Sequence, residues 1–313
     1  MYNQQNYTMD TKAYAEKFWD SMRGNKTAAT GLIPTKHCPI GCYDLPLFDN
    51  DKLTDSLNKR SLFRRIASVK PLLNACDEHI LAYDSDDIAV WLDEVTPMPV
   101  SNATDDFKQL NVASHKLGVF MTLSETFVRD NSFGFESYLV ERLSKNFARA
   151  ETNAFINGTG KDNNMPIGIL HSEGGAEVGT TANAALTYED IVALYFSVKS
   201  EYRENSVWLI NDNTAKILRT LKDESGAYIW NGNDNTIFGK RVFISEFMPD
   251  ITSGNKPIAF GDFGYYWVMP RQTIGVHPLY ERYVQYGQIG YLAYERLDGR
   301  LIRTDAVKVI VIS

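Results

Sequence analysis

The clearest hydrophobic pattern in the chain lies between residues 135 and 157. Apolar side chains recur there every three or four positions, at Phe135, Leu139, Leu143, Phe147, Ala150 and Ala154. Charged residues occupy the other face, at Glu136, Glu141, Arg142, Lys145 and Arg149. This spacing predicts an amphipathic helix of about 23 residues, roughly 35 Å long. Gly158 and Gly160 predict its end.

Three further helices follow from weaker signals. Residues Thr11–Met22 place Tyr14, Phe18 and Trp19 on one side of a short helix. Residues 188–202 carry an apolar stripe, and Thr187 is a suitable N-cap with acidic residues after it. Residues 213–221 complete the set, after a buried strand at Val207–Ile210.

The carboxyl-terminal third is rich in strand signals, and residues 110–128 predict a strand followed by a short helix. The strand candidates of the last third are Arg241–Ser245, Ile258–Phe260, Tyr265–Met269, Val284–Arg296 and Val307–Ile312. The pair Asp298-Gly299 predicts a hairpin between Tyr291–Leu297 and Arg300–Thr304. Helices and strands in this order predict an α+β fold.

Two stretches lack the apolar content to form a core of their own. Residues 1–60 are polar, and the breakers between Gly31 and Pro46 predict an extended arm. Residues 70–95 alternate around Tyr83 and Val90, with Asp84–Asp87 as a turn, which predicts a long two-stranded loop. We expect both stretches to pack mainly on other subunits, because such contacts would offset the entropy cost of ordering them.

Charge and composition exclude several functions. The net charge is −7, and the best basic cluster is Lys59, Arg60, Arg64 and Arg65. Direct recognition of nucleic acid is disfavoured because it requires a basic surface that displaces counterions from phosphates. An acidic wall could still enclose nucleic acid without gripping it. The many aromatic residues fit a core or a protein interface equally well.

The chain contains neither a membrane-span pattern nor a signal peptide. Its three cysteines, Cys38, Cys42 and Cys76, do not form the even, dense set of a disulfide scaffold. We therefore expect synthesis in a reducing cytoplasm.

Three short motifs could bind ligands, and each departs from its pattern. Asn157-Gly-Thr-Gly-Lys161 has Phe155 and Asp162 where a phosphate loop needs Gly and Ser or Thr. His37-Cys38 with Cys42 has no second pair to complete a zinc site. Asp84-Ser-Asp-Asp87 lacks the central glycine of a calcium loop. A helix end, arm residues and a solvated turn are the simpler interpretations.

No catalytic motif surrounds the five histidines, His37, His79, His115, His171 and His277. The carboxylates of the long helix are expected on its polar face, paired with Arg and Lys. We expect no catalytic, cofactor-binding or metal-binding residues. A triad assembled from distant residues keeps a hydrolase open as an alternative.

Four segments, in order, resemble the HK97-type major capsid proteins of tailed bacteriophages. The segments are Glu151-Thr-Asn-Ala-Phe-Ile-Asn-Gly-Thr-Gly160 with Pro166-Ile-Gly-Ile169; Leu209-Ile-Asn-Asp-Asn-Thr214 with Leu218-Arg-Thr-Leu-Lys-Asp-Glu-Ser-Gly226; Phe238-Gly-Lys-Arg-Val242 with Met248-Pro249 and Ile258-Ala-Phe-Gly-Asp-Phe263; and Tyr294-Glu-Arg-Leu-Asp-Gly-Arg300 with Asp305-Ala-Val-Lys308. Each is weak alone, but together they cover about residues 60–313.

The resemblance implies an HK97-like division of the chain. Residues 1–63 would form the N-terminal arm and 64–96 the extended E-loop. Residues 97–186 and 276–302 would form a peripheral domain with the long spine helix. Residues 187–275 and 303–313 would form the axial domain, which gathers around the symmetry axes.

The resemblance also implies a function without catalysis. The chain would assemble with itself into pentamers and hexamers of an icosahedral head that encloses double-stranded DNA, without sequence-specific binding. The implied partners are a portal, a scaffold, and a maturation protease or decoration proteins, and no membrane is implied. The protein would reside in the virion after assembly in the host bacterial cytoplasm. The related alternative is an encapsulin-like compartment that holds an enzyme cargo.

Two features of relatives are missing. Some carry a long, charged scaffolding segment before the arm, and the short polar stretch before Phe63 is not one. We therefore expect a separate scaffold, or one already removed from this chain. Other relatives cross-link an E-loop Lys to an Asn of a neighbour, yet no Lys lies between Pro71 and Phe107. No Asn follows Asn255, and the expected Asn position falls near Gly287.

Overall fold

The computed structural model describes residues 8–35, 41–72, 78–83, 107–130, 134–183, 185–222, 226–230 and 235–313. Helices and mixed sheets are combined, so the α+β prediction is confirmed. The helices are α1 (Lys12–Met22), α2 (Leu47–Arg60), α3 (Leu62–Ile66), α4 (Glu125–Arg129), α5 (Phe135–Asn157), α6 (Tyr188–Ser197), α7 (Ser200–Arg203) and α8 (Asp212–Thr220).

The long helix α5 begins and ends where the periodicity predicts. Its apolar positions up to Phe147 are buried, whereas Ala150 and Ala154 are only half-buried. The turn after the helix requires glycine at position 158, because a Cβ there would lie 2.2 Å from the carbonyl oxygen of Pro166. Asn157-Gly-Thr-Gly-Lys161 is therefore a helix end, as predicted.

Side-chain caps fix the starts of the other predicted helices. The side chains of Thr11 and Asn211 accept hydrogen bonds from the backbone amides three residues later. Thr187 and Asp190 form a reciprocal capping box at the start of α6. The helix predicted over 188–202 is interrupted, because Val198 and Lys199 adopt extended backbone angles between α6 and α7.

The first sheet is built around one long strand. Its strands are β1 (Tyr43–Asp44), β2 (Ser68–Val69), β5 (His115–Ser124), β11 (Tyr266–Pro270), β12 (Gly275–Leu279) and β13 (Gln288–Leu301). Strand β13 pairs antiparallel with β5 along one edge, and with β12 and then β11 along the other. The predicted strand and short helix at 110–128 are confirmed as β5 and α4.

The hairpin predicted at Asp298-Gly299 is wrong. Strand β13 continues through both residues, which pair with Met269 and Val268 of β11. Gly299 is needed for a close approach, since a Cβ there would lie 2.6 Å from a ring carbon of Phe155. The glycine that suggested a turn instead lets the helix pack directly on the strand.

The second sheet has six strands in the order β6-β14-β10-β7-β9-β8. They are β6 (Glu177–Ala182), β7 (Val207–Ile210), β8 (Thr236–Ile237), β9 (Lys240–Ile244), β10 (Ile258–Gly261) and β14 (Val307–Ile312). The strands predicted at 241–245, 258–260, 265–269 and 307–312 are confirmed to within one residue at each end. Helices α6 and α8 pack on this sheet around Trp208.

Sheet membership departs from the predicted domain division, because β1 of the predicted arm and β2 of the predicted E-loop join the first sheet and two further strands change domain. Strand β6, predicted as peripheral, pairs with β14 of the second sheet. Strand β11, predicted as axial, pairs with β13 of the first. A core cluster that includes Phe63, Phe155 and Val309 joins the two sheets.

A separate ladder corresponds to the predicted two-stranded loop. Strand β3 (Glu78–Tyr83) pairs antiparallel with β4 (Phe107–Val112) in six registered pairs. The partner of β3 therefore lies beyond residue 96, where the predicted E-loop ended. The predicted turn at Asp84–Asp87 and the strand positions around Val90 lie outside the described residues.

The expectation of an extended arm is wrong for residues 8–35 and 41–60. Helix α2 was not predicted, and its Leu53 and Leu57 pack with Phe18 and Trp19 of α1. Both helices join the core of α5 and β13, and the hydroxyl of Tyr291 donates to the carbonyl oxygen of Met22 over 2.8 Å. Aromatic residues spaced along the segment supply the apolar area that its mean polarity conceals.

Within the described residues, no helix is both long enough and apolar enough to span a membrane.

Candidate functional site: a buried charge cluster and a basic cleft

Three charged side chains meet in the interior where α3, α5 and β13 come together. Arg64 donates from Nη2 to Glu151 over 2.6 Å and to Glu295 over 2.8 Å. Its Nε donates to the second oxygen of Glu151 over 3.0 Å. The side chains are 4%, 0% and 3% exposed for Arg64, Glu151 and Glu295. We call these three residues the buried triad.

The triad has more negative than positive groups, so protonation balances it. Burial, followed by the nearby Glu151 carboxylate, raises the pKa of Glu295 from 4.5 to about 8. Burial alone would lower the pKa of Arg64, but its two carboxylate neighbours outweigh this and raise that pKa. At neutral pH Glu295 is therefore mostly protonated, and the triad carries no net charge.

The buried triad holds distant parts of the chain together. It contains a permanently charged guanidinium and two carboxyl groups, and all three side chains are enclosed in the interior. Its hydrogen bonds tie together elements that are 87 and 231 residues apart in the chain. Removing one partner would leave a buried charge uncompensated.

We expected the carboxylates of α5 to lie on its polar face, and this is wrong for one of them. Glu141 does, and it pairs with Arg60 over 2.6 Å at the surface. Glu151 is buried instead. The signal was present: positions 135, 139, 143, 147, 151 and 155 form one series of four-residue steps, and Glu151 interrupts five apolar residues. Arg64 belongs to the best basic cluster of the sequence, and its side chain lies inside.

A basic cleft of about 700 Å³ lies beside the triad on the other face of β13. Alternation along the strand places Arg296, Asp298 and Arg300 on one side, while Glu295 faces the other. Lys161, from the turn after α5, and His115, from β5, complete its charged lining. We call it the β13 cleft.

The β13 cleft has an excess of cations. Its acid, Asp298, accepts from the backbone amides of Ala113 over 2.7 Å and Gly299 over 2.8 Å. Burial raises the pKa of Asp298, although these amides partly oppose the rise. Among the described side chains, none forms an ion pair with Lys161, Arg296 or Arg300. The buried Nε of Arg296 has no hydrogen-bond acceptor.

The remaining motif residues do not converge on a site. His37 and Cys38 lie outside the described residues, as do Cys76 and Asp84–Asp87. His171 contacts the backbone of Glu173, and His277 stands beside Gly41. Within the described part of the chain, no three His, Cys, Asp or Glu residues are grouped as metal ligands.

Large apolar side chains are exposed on several elements. Phe48, Phe196, Val284 and Tyr286 are 70%, 64%, 66% and 67% exposed. They belong to α2, α6 and the turn before β13. Exposed aromatic residues are typical of protein interfaces.

Comparison with known proteins gives one consistent result. The model of the phage capsid family matches residues 46–312. The probable major capsid protein gp17 of Mycobacterium phage L5 is 27% identical over 254 residues, which cover 77% of this chain and 71% of that protein.

Solved structures agree in fold. The capsid of an empty GTA particle, computed with C5 symmetry, has a TM-score of 0.69 at 26% identity, covering 81% of this chain and 90% of that one. A chain from Microbacterium phage Oxtober96 has a TM-score of 0.59 at 16% identity, covering 81% and 91%. The second likeness concerns the fold alone.

Proposed function

Because the chain belongs to the phage capsid family, we propose that it is the major capsid protein of a phage head. The observation that carries this proposal is similarity to capsid subunits in both sequence and fold over most of the chain. The HK97-type fold implied by the sequence is confirmed by these neighbours. The family is a structural one, which favours building a shell over catalysing a reaction.

We propose that copies of this chain assemble with one another into the pentamers and hexamers of an icosahedral shell. A relative's capsid was computed with five-fold symmetry, which supports the pentamers. Exposed apolar side chains on several elements fit a subunit that contacts its neighbours. The shell would enclose DNA without sequence-specific contacts, and the acidic net charge supports this.

Further partners and the location follow from the same role. A portal, a scaffold, and a maturation protease or decoration proteins would act on the shell during assembly in the host bacterial cytoplasm. The finished protein would be part of the virion.

The domain division is proposed with changes at β11, at β6 and at the E-loop. The first sheet and α5 would form the peripheral domain, and this domain would include β11. The second sheet, with α6 and α8, would form the axial domain, including β6. The β3–β4 ladder would be the E-loop, and residues 8–35 and 41–60 would be the folded part of the N-terminal arm.

Electron microscopy of the purified chain tests the proposal. We expect closed shells of uniform size, with sedimentation far faster than that of a 35.4 kDa monomer. Shells that package an enzyme and no DNA would favour the encapsulin-like compartment. A monomer under all assembly conditions, with hydrolytic activity, would favour the hydrolase and contradict the proposal.

A further inference from the structure

Three cations of the β13 cleft have no anionic partner inside the subunit. Lys161 and Arg300 make no side-chain hydrogen bond or ion pair within the described part of the chain. Arg296 donates from Nη1 to the carbonyl oxygen and the hydroxyl of Ser114, both over 3.4 Å, and its buried Nε has no acceptor. A buried donor without an acceptor is costly, so this guanidinium points to a ligand that supplies one.

The one acid described in the cleft is already engaged by the protein. Asp298 accepts through Oδ2 from the backbone amide of Ala113 and through Oδ1 from that of Gly299. The Nε2 atom of His115 lies 3.6 Å from the same Oδ1 atom. An anion that enters the cleft would therefore meet three cations and a single carboxylate whose oxygens both face protein donors.

The kind of anion follows from the number of donors and from their arrangement. Arg296 and Arg300 are four residues apart on β13, which is about 14 Å at the backbone. Lys161 and the amide of Asn164 come from the turn after α5, and the hydroxyl of Ser114 comes from the junction of β4 and β5. A phosphate group presents more acceptor oxygens and more charge than a carboxylate, so donors from three separate elements suit phosphate better.

The size of the cleft indicates more than one phosphate group. Its volume of about 700 Å³ is typical of pockets that hold small organic ligands. A single inorganic phosphate would fill only a small part of this space. Two linked phosphate groups would instead allow Arg296 and Arg300 to bind from the two ends of the cleft.

We propose that the β13 cleft is a binding site for linked phosphate groups, either those of a DNA backbone or those of a free diphosphate. Lys161, Arg296 and Arg300 would supply the positive charge. The site lies within one subunit, so the inference goes beyond the proposed function and does not depend on assembly. Because Ala113 and Ser114 line the cleft, bound phosphate would also connect the root of the β3–β4 ladder to the turn after α5.

Equilibrium dialysis of the full-length chain, before assembly, against radiolabelled pyrophosphate tests the site. We expect one pyrophosphate per chain. Arg300→Gln should weaken binding about tenfold, because it removes a charge-assisted hydrogen bond to the ligand and no side-chain hydrogen bond of the free subunit. Arg296→Gln combined with Arg300→Gln should weaken binding further.

Lys12→Gln combined with Arg129→Gln is the matched control. It removes the same number of positive charges from outside the cleft, where the two side chains are 91% and 66% exposed. Charges so exposed are screened by salt, so the affinity for pyrophosphate should change by less than about twofold.

Two competitors identify the ligand. Displacement of pyrophosphate by a short DNA duplex would support the site with the DNA backbone as the source of phosphate. A duplex that leaves pyrophosphate bound would support it with a free diphosphate as the ligand. Citrate carries its charge on carboxylates, so it should bind about ten times more weakly than pyrophosphate.

Three results would overturn the inference: no binding of pyrophosphate, binding of citrate as tight as that of pyrophosphate, or equal losses in the cleft variant and the matched control. None of them bears on assembly, which electron microscopy measures separately. Closed shells built from a chain that binds no pyrophosphate would therefore leave the proposed function intact.

Discussion

Arg64 holds Glu151 by two parallel hydrogen bonds in the protein interior, of 3.0 Å from Nε and 2.6 Å from Nη2. The two residues are 87 positions apart, and neither side chain is more than 4% exposed. The pair fixes α3 against the carboxyl-terminal half of α5. A pair of this kind fixes geometry more than it adds net stability, since both charges lose their hydration.

Breaking the pair should be costly. We expect Glu151→Gln to lower the free energy of unfolding by about 3–5 kcal/mol, because the guanidinium of Arg64 loses its bidentate anionic partner and Glu295 must ionise in the interior to balance the charge. Urea unfolding of the subunit, followed by tryptophan fluorescence, measures this change.

Glu141→Gln is the matched control on the same helix. It removes the partner of Arg60, but that pair lies at the surface, with the Glu141 side chain 68% exposed. The expected loss is below about 1 kcal/mol. Equal losses for the two variants would contradict the special position of Glu151.

The buried triad also predicts a dependence of stability on pH. The pKa of Glu295 is raised from 4.5 to about 8, so between these values the unfolded chain loses a proton that the folded chain retains. The contribution of Glu295 is therefore fully present below pH 4.5 and is lost as pH rises to about 8. The slope is at most about 1.4 kcal/mol per pH unit for one proton.

Glu295→Gln should remove this slope, because the amide resembles the protonated acid and does not titrate. The measurement is the urea midpoint of the parent and the variant at several pH values. Glu177→Gln is the control. The hydrogen bond from Lys308 lowers the pKa of Glu177, so the contribution of Glu177 to stability changes only at pH values below about 4.5, outside the window of Glu295. A parent profile parallel to that of Glu295→Gln across the window would refute the prediction.

Periodicity was sufficient to predict α5 and most strands because their burial follows directly from local spacing. Periodicity failed where the local structure or burial of a residue depends on residues that are distant in sequence. Asp298-Gly299 has the local signal of a turn, yet the glycine is required by the approach of Phe155. The carboxyl group of Glu151 is tolerated inside only because Arg64 lies opposite, and no local window contains both.

The amino-terminal segment shows the same limit. Its average polarity concealed helix α2, whose apolar residues become a core only against α5. The β13 cleft was missed for a related reason. Lys161 is distant in sequence from Arg296 and Arg300, and only the pairing of β13 with β5 and the turn after α5 bring them together.

The packing of α1 predicts that the segment stabilises the subunit itself. Phe18 is fully buried beside Trp19, whose indole donates to Asp49 over 2.8 Å. Phe18→Ala should cost about 3–5 kcal/mol in the free energy of unfolding of the subunit, through lost burial and a cavity. The side chain of Phe48 on α2 is 70% exposed, so Phe48→Ala should change the free energy of unfolding by no more than about 0.5 kcal/mol. An unchanged thermal stability of the Phe18→Ala variant would contradict this packing and favour the extended-arm interpretation.

The contact between β13 and α5 predicts a strict requirement at Gly299. A methyl group there would lie 2.6 Å from a ring carbon of Phe155 and 2.7 Å from the hydroxyl of Tyr266. Gly299→Ala should therefore cost about 1–3 kcal/mol in stability. Gly134→Ala is the control, since its Cβ would meet no atom within 4 Å. Thermal unfolding of the two variants decides the matter; equal melting temperatures would contradict the close approach.

The chemistry of the shell gives the last prediction. A bond between a lysine and an asparagine side chain needs an unprotonated amine close to the amide carbon. Between Pro71 and Phe107 the chain has no lysine, and Lys70, at the root, lies 5.8 Å from the ring centre of Trp267. The position expected for the asparagine lies near Gly287, which adopts a left-handed conformation before β13. No asparagine follows Asn255.

Mature shells should therefore be held by non-covalent contacts, or by separate decoration proteins. Because both reactants are missing from the expected positions, particles boiled in detergent and reducing agent should yield a single band near 35.4 kDa. Particles treated first with a carbodiimide are the positive control, since they should give a ladder on the same gel. A ladder from untreated particles that resists reduction would show that the subunits are joined by a bond between other residues, because cysteine pairing would not survive the reducing agent.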